Sequence, residues 1–312
     1  MSQKTGTGKY ERLLERCKTL APIPTAVAHP CEDSALAGAV EAAQARLIEP
    51  ILVGPAARIQ QVAKSANIDL GNIEIVDVEH SADSARTAVA LVKEGRAEVL
   101  MKGSLHSDEL LAAIVSRDGL RTGRRISHVF VMDVPTYHKV LLITDAAINI
   151  APTLEDKVDI CQNAIDLVTS LRDDKSQKPK VAILAAVETV TSKMPGTIDA
   201  AALCKMADRG QITGGILDGP LAFDNAISKQ AADTKGIKST VAGDPDILLV
   251  PDLEAGNMLA KQLTFLANAD SAGLVLGAKV PVILTSRADS VRSRIASCAV
   301  ATMVAHARRT NL

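Results

Sequence analysis

Tryptophan is absent from the 312 residues, and tyrosine and phenylalanine number only two and three. A chain so poor in aromatics offers no stacking platform for nucleic-acid bases, and its core must be built from Ala, Val, Leu and Ile. Charge of one sign is missing as well. Lys and Arg number 35 against 36 Asp and Glu, a formal net charge of −1, which argues against general binding to nucleic acid or to a membrane surface. The five cysteines (Cys17, Cys31, Cys161, Cys204, Cys298) are scattered and odd in number, with no CxxC pair. That pattern suits buried thiols in a reducing compartment and supports neither a disulfide frame nor a zinc site. The six histidines show no HxH or HExxH spacing, so no metal site is expected. No apolar run approaches membrane length, and the opening residues lack the apolar segment of a signal peptide. The expectation is a soluble, cytoplasmic protein.

What is present is strand–helix alternation. Thr25–Ala28, Pro50–Val53, Ile73–Val76 and Val99–Lys102 read as buried strands. Asp33–Ala45, Ala56–Ala66 and Ser81–Glu94 read as the helices between them, and Lys9–Leu20 as an amphipathic leading helix. Such alternation means a parallel sheet with crossover helices. After Lys102 the pattern changes. Ser127–Asp133 and Lys139–Asp145 flank a short turn and predict an antiparallel hairpin. A long helix from Pro152 to Leu171 follows, then a polar loop, then a second alternating set. That set comprises Val181–Val187, Ile212–Leu217, Ile247–Val250, a helix from Glu254, Gly273–Leu276 and the strand at Pro281. Two α/β domains are expected, 1–147 plus 287–312 and 148–286.

The stretch from Pro281 to Ala296, PVILTSRADSVRSRIA, concentrates the chemistry. A short β-branched strand runs into the polar turn Thr285–Ser290, and Ser290 is placed to cap a helix from Val291. A strand, a turn and a helix N-terminus together make an anion site, because free N–H groups and the positive dipole end point outward. Ser286 adds a hydroxyl donor and Arg287 a planar fork that suits phosphate. The plainer alternative is a loop in which Arg287 and Asp289 pair with each other.

Ligands of open parallel sheets sit beyond the carboxyl ends of strands. There the chain places Lys102-Gly103, Thr144-Asp145, Asp218-Gly219 and Thr285-Ser286-Arg287. Lys102 supplies a point charge and Gly103 lets backbone approach an anion. Arg125, Ser127 and His128 stand at the entry of a strand. Arg125 is the preferred ligand contact of the Arg124–Arg125 pair, and a structural, hydrogen-bonded role competes with proton transfer for His128. Asp145 and Asn149 follow another strand, Glu188 a third, and Asp218 precedes a Gly-Pro turn. Helix capping explains some of these carboxylates without catalysis. Gly6-Thr7-Gly8-Lys9 is not a P-loop, since no strand precedes it and the upstream glycine is missing.

In order along the chain stand VLMKG (99–103), SHVFVMD (127–133), ITDAAINIAPTLEDKVDI (143–160), ETVTSKMPGTIDAAALCKMADRGQI (188–212), DGPLAFDNAIS (218–228), PDLEAGNMLAKQL (251–263) and PVILTSRADS (281–290). Together these strings resemble the phosphate acetyltransferase/phosphate butyryltransferase family over nearly the whole chain. The resemblance implies two α/β domains of the isocitrate/isopropylmalate dehydrogenase type, mainly parallel sheets, an interdomain cleft and a homodimer. It implies reversible transfer of a short acyl group between coenzyme A and inorganic phosphate, with CoA as substrate and no bound cofactor. Ser286 and Arg287 match the family's Ser-Arg pair. Where the acetyl branch carries an Asp proposed as base, this chain has Ser293. The SRADS form and Lys102 are more similar to the butyryltransferase branch and to the transferase part of proteins fused to an enoyl-CoA hydratase.

Direct attack of phosphate on the thioester in a ternary complex needs no covalent enzyme intermediate. It needs two anions held close and the developing oxyanion stabilised. On this reading Arg287 serves phosphate and oxyanion, Ser286 hydrogen-bonds at the reacting centre, and Asp289 is the candidate base for the thiol, with Asp145 its rival. Lys102, Gly103, Arg125, Ser127, His128, Asp145, Asn149, Glu188 and Asp218 are the expected substrate-binding set. Two other classes are compatible with the sequence: a non-catalytic acyl-CoA or phosphate-binding regulator, and a metal- and NAD-dependent decarboxylating dehydrogenase of the same fold.

Overall fold

A computed structural model describes residues 8–285 and 289–310. In chain order the elements begin α1 (Lys9–Cys17), β1 (Ile23–Ala28), α2 (Asp33–Gln44), β2 (Ile48–Gly54), α3 (Ala56–Ser65), β3 (Glu74–Asp77), α4 (Ser81–Lys93), β4 (Val99–Lys102) and α5 (Ser107–Val115). The middle of the chain forms β5 (Ser127–Asp133), β6 (Leu141–Thr144), α6 (Leu154–Leu171), β7 (Lys180–Leu184), α7 (Pro195–Asp208), β8 (Ile216–Leu221), α8 (Phe223–Ile227) and α9 (Lys229–Thr234). Last come β9 (Ile247–Leu249), α10 (Leu253–Leu266), β10 (Asp270–Leu276), β11 (Val282–Ile283) and α11 (Val291–Thr310). This is an α/β fold with mostly parallel strand pairing.

Contacts group the chain into two compact units, Tyr10–Arg124 with Ala272–Leu312, and Met1–Lys9 with Arg125–Ser271. The first unit carries strands in the order β3-β2-β1-β4-β11-β10. Its β1, β2, β3, β4 and β11 pair in parallel, and β10 runs antiparallel to β11. Residues Val99 to Lys102 are buried throughout, as strands covered on both faces must be. Ile23, Leu36, Leu52, Ile59, Leu100 and Met101 are fully buried and form its aliphatic core. Each such side chain contributes roughly 1.5–3 kcal/mol by leaving water, so no aromatic centre is needed.

The second unit orders its strands β5-β6-β9-β7-β8. The expected hairpin is there, with Val129 opposite Thr144 and Met132 opposite Leu141. The remaining pairs are parallel. Met132, Ile143, Leu184, Leu221, Leu248 and Val250 pack in one cluster. Helix α6 begins with a capping box, Thr153 accepting from the Asp156 N–H and Asp156 from the Thr153 N–H.

The units differ from the expected domain division in three stretches, the first being the opening residues through Lys9, which group with the second unit. Residues 125–147 group with the second unit because Leu142–Thr144 pairs with Ile247–Leu249. The strand at Pro281, expected within the second alternating set, pairs instead with β4, Val282 opposite Leu100 and Ile283 opposite Met101. A further correction concerns β8. The strand was expected at Ile212–Leu217 but runs from Ile216 to Leu221. Gly214 takes a positive φ of 79° just before it, a backbone state glycine adopts freely and a strand does not use. Asp218 and Gly219 therefore lie within the strand and not beyond its end.

Candidate functional site

In the first unit the end of β4 opens onto a pocket. Its lining comprises Glu32, Ser34, Ala35, Met101, Lys102, Gly103, Ser104, Thr285 and Arg294, and its empty space, including the mouth, is roughly 290 Å³. Gly103 is required there by close approach, since a Cβ would stand 2.4 Å from the Ala28 carbonyl oxygen and 2.5 Å from that of His29. The Gly103 N–H donates to Ala28 O at 2.8 Å and the Ser104 N–H to His29 O at 2.9 Å. Ser104 Oγ also donates to His29 O at 2.8 Å and accepts from the Cys31 N–H at 3.2 Å. The turns after β1 and β4 are thus stitched into one wall. Lys102 is only 8% exposed, and its Nζ donates to Gly103 O at 3.4 Å. Arg294, 6% exposed, is a second buried cation on the same pocket. Sequence reasoning missed it because it sits on α11, beyond the strand-end turn.

Ser290 caps α11 as the sequence predicts, accepting at Oγ from the Ser293 N–H at 3.1 Å. Ser293, in the place of the acetyl branch's Asp, is buried and has its Oγ 3.1 Å from Ser290 Oγ. Ser286 and Arg287 lie outside the described residues. Asp289 lies in the turn before α11 and is partly buried. Arg292 belongs to structure: its guanidinium stacks 3.6 Å over the Tyr10 ring and pairs with Glu11 at 2.9 Å.

In the second unit five expected residues come together around the mouths of β5 and β6. Asp145, 2% exposed, accepts at Oδ1 from the N–H groups of Ala147 (2.9 Å) and Ile148 (3.0 Å). Its Oδ2 accepts from the Asn149 N–H (3.2 Å) and from Asn149 Nδ2 (2.5 Å). Asn149 Nδ2 donates also to Ile126 O at 2.9 Å, and Asn149 Oδ1 accepts from Arg125 Nε at 2.8 Å. Arg125 is exposed and lies 3.5 Å from Asp156. Ser127 Oγ accepts from Asn163 Nδ2 at 2.9 Å. Asn163, which also donates to Arg125 O at 2.9 Å, was not foreseen. An amide among Ile160, Ala164 and Leu167 on the buried face of α6 was the signal for it.

His128 departs from the hydrogen-bonded structural histidine considered from sequence. It is 1% exposed and its Nδ1 has no hydrogen-bond partner, while its ring meets Phe130 edge-on at 4.5 Å. Burial lowers its pKa to about 4, against a weaker raising effect of Asp145. It is therefore neutral near pH 7.

The last two expected residues stand apart from this cluster. Glu188 accepts from Lys235 Nζ at 3.1 Å and Asn225 Nδ2 at 3.2 Å, and the Lys235 hydrogen bond draws its pKa below the usual range. Asp218 Oδ1 accepts from the Gly219 N–H at 2.9 Å, a local bond within β8. No thiol is activated: burial pushes Cys17 up to about 11 and Cys204 and Cys298 up to about 12, and raises Cys31 and Cys161 as well.

The family model described as Phosphate acetyl/butaryl transferase matches residues 79–302. The chain belongs to the phosphate acetyl/butyryltransferase family. Among relatives of this family, a phosphate acetyltransferase of Rhizobium meliloti is 64% identical over 302 residues, covering 96% of this chain and 95% of the relative. A phosphate butyryltransferase of Clostridium beijerinckii is 41% identical, covering 95% and 97%. The crystal structure of a branched-chain phosphotransacylase from Enterococcus faecalis V583 superposes with a TM-score of 0.76 at 30% identity, over 90% of this chain and 99% of that one. The resemblance read from seven sequence strings is therefore the correct family.

Proposed function

We propose that this chain is a phosphate acyltransferase, catalysing reversible transfer of a short acyl group between coenzyme A and inorganic phosphate. The observation that carries this is identity: 64% over nearly the full length of both chains to a phosphate acetyltransferase. CoA is a substrate of the reaction and no bound cofactor takes part.

We further propose direct attack of phosphate on the thioester within a ternary complex. A free thiol of pKa about 8.5 is a few per cent thiolate at pH 7, so expelling it costs about 2 kcal/mol that a positive field or a nearby acid–base group can cover. Arg287 holds phosphate and the developing oxyanion, and Ser286 hydrogen-bonds at the reacting centre. Lys102 supplies positive charge at the mouth of β4, where Gly103 keeps the backbone close. Asp289 is the better base of the two carboxylates considered. Both oxygens of Asp145 already accept two hydrogen bonds each, which fills the lone-pair positions of a carboxylate. Arg125, exposed and tethered through Asn149, reaches solvent where an anionic substrate can meet it. Ser127, His128, Asp145 and Asn149 shape that mouth, and Glu188 and Asp218, which stand apart from it, are engaged by Lys235 and Asn225 and by the Gly219 N–H.

The two compact units, each carrying mostly parallel strand pairs, support a two-domain arrangement of the isocitrate/isopropylmalate dehydrogenase type, divided at the unit boundaries. A homodimer is part of the same proposal. Met258, Phe265 and Leu266 of α10 are 64, 70 and 77% exposed, an apolar display that favours association. Free cysteines support a cytoplasmic setting. Among the described residues no helix is long and apolar enough to cross a membrane.

The test is thiol release from acetyl-, propionyl- and butyryl-CoA on adding phosphate. Rapid release that depends on phosphate is expected, and the panel assigns the acyl group. CoA binding without release would identify a regulator. Oxidation of a hydroxy acid with reduction of a nicotinamide would identify a dehydrogenase.

A further inference from the structure

We propose that Asn163, aided by Asn149, is a positioning residue that holds Arg125 as a fork for a phosphate-class oxyanion carried by a substrate. This rests on the acyl-transfer reading above and adds to it a residue of α6 that the reading leaves without a role.

Three buried polar side chains serve the segment from Arg125 to Ser127. Asn163 and Asn149 are each 4% exposed, and Asp145 is 2% exposed. Asn163 stands on the buried face of α6 among Ile160, Ala164 and Leu167, where an apolar side chain would pack without a desolvation cost. Its Nδ2 is spent on this segment, donating at 2.9 Å to Arg125 O and at 2.9 Å to Ser127 Oγ. Asn149 spends its own Nδ2 on Ile126 O and Asp145 Oδ2, which leaves Oδ1 to accept from Arg125 Nε at 2.8 Å. Asp159 Oδ2 accepts from the Arg125 N–H at 2.8 Å. Arg125 is therefore fixed at its backbone N–H, its carbonyl and its Nε.

What is held this way is an exposed head group. The Arg125 side chain is 54% exposed, and among the described residues its two terminal nitrogens make no hydrogen bond. Its charge has a partner, since Asp156 Oδ1 lies 3.5 Å from Nε, while Asp156 Oδ2 accepts from the Thr153 N–H. What remains unspent is the Nη1–Nη2 edge, two donors in one plane that match two oxygens of a phosphate. Pinning the backbone and Nε removes conformational freedom before a ligand arrives, so an anion binds there at a smaller ordering cost. A surface ion pair with Asp156 needs none of this, because exposed pairs contribute little to stability and do not call for two buried amides. Both substrates of the acyl-transfer reading carry the matching chemistry, inorganic phosphate itself and the phosphates of CoA.

The experiment is a double-mutant cycle. Steady-state kinetics, and calorimetric titrations of CoA and of inorganic phosphate, are run on wild type, R125A, N163A and R125A/N163A, with R125K alongside. R125A is expected to raise KM for one of the two substrates at least about tenfold, the scale of a charge-assisted hydrogen-bonded pair, with kcat within about threefold. N163A should raise the same KM by about threefold or more, as for residues coupled through contact, and should add nothing in the R125A background. R125K keeps the charge and loses Nε, so its KM should stay at least about threefold above wild type. Acyl-pantetheine, the thioester without the nucleotide phosphates, separates the source of the oxyanion. Should R125A raise KM for acyl-CoA and not for acyl-pantetheine, the oxyanion is a phosphate of CoA; should it raise KM for phosphate alone, it is inorganic phosphate. If N163A does not fold, R125K and the same cycle run with N149A decide. A wild-type KM in R125K, an equal rise from N163A with and without Arg125, or unchanged KM values and unchanged binding in R125A would each overturn the proposal. If wild type releases no CoA on phosphate addition, the acyl-transfer reading falls, and the titrations of wild type, R125A and N163A still decide the fork.

Discussion

The two polar clusters of this molecule use buried polarity in opposite ways. Around Asp145 the second unit ties its polar groups to one another: four donors fill one carboxylate, and Asn149 relays from it to Arg125 and the Ile126 carbonyl. Around Lys102 the first unit lines a pocket with two buried cations and braces the backbone behind them. A buried group enclosed by its own chain holds a shape, whereas a side chain that lines a pocket stands within reach of a ligand. The comparison explains why expected site residues that look alike in sequence do different work.

The largest expected effect that would break this contrast is at Asp145. Asp145→Ala leaves three backbone N–H groups and an amide without their acceptor, and unsatisfied buried donors cost about 1–3 kcal/mol each before relaxation. A loss of roughly 3–5 kcal/mol in chemical denaturation is expected; a variant as stable as wild type would remove the scaffold role.

His128 gives the next largest effect, and it sharpens the contrast through pH. Its folded pKa of about 4 lies below the ordinary 6.5, so the unfolded chain binds the extra proton first. Stability from this residue is complete above about pH 6.5 and falls as pH drops toward about 4. The full loss amounts to about 3 kcal/mol at 1.36 kcal/mol per pH unit. His128→Leu should flatten that part of the stability–pH curve, and an unchanged slope would contradict the buried neutral ring.

On the catalytic side, Arg287→Lys should lower kcat by about 10²-fold, the scale of losing one oxyanion-stabilising donor. Arg292→Lys serves as the contrast, because Arg292 is engaged by Tyr10 and Glu11 and should alter turnover little. Equal losses in the two variants would move the chemistry away from Arg287. Smallest is Lys102→Ala, expected to weaken phosphate or CoA use by about 1–3 kcal/mol while melting temperature barely moves. A buried lysine that serves a ligand is not needed by the fold; a large drop in melting temperature with normal kinetics would place it with the Asp145 type.

Much of this was legible in the sequence, and the exceptions have physical causes. Val99–Lys102 and Ser127–Asp133 stand where the apolar runs predicted, since β-branched runs bounded by polar residues leave few registers. The Ser290 cap was readable because capping is local. Asp218 was misplaced because Gly214 and Gly215 delay the strand, and an apolar run does not mark where pairing starts. The Pro281 strand joined the other unit because two residues of strand cannot choose a partner alone; Leu100 and Met101 choose it. Arg294 escaped notice because its packing against Gly38, far away in sequence, is visible only where the two helices touch. The unpartnered nitrogen of His128 is likewise a fact of packing.

The most direct measurement follows both products at once. Acyl-CoA is mixed with enzyme and inorganic phosphate, and free CoA thiol and acyl phosphate are quantified together over time. Transfer predicts equal amounts of the two, appearing only with phosphate and reversing when acyl phosphate and CoA are supplied. Thiol released without acyl phosphate, or no release at all, would contradict it.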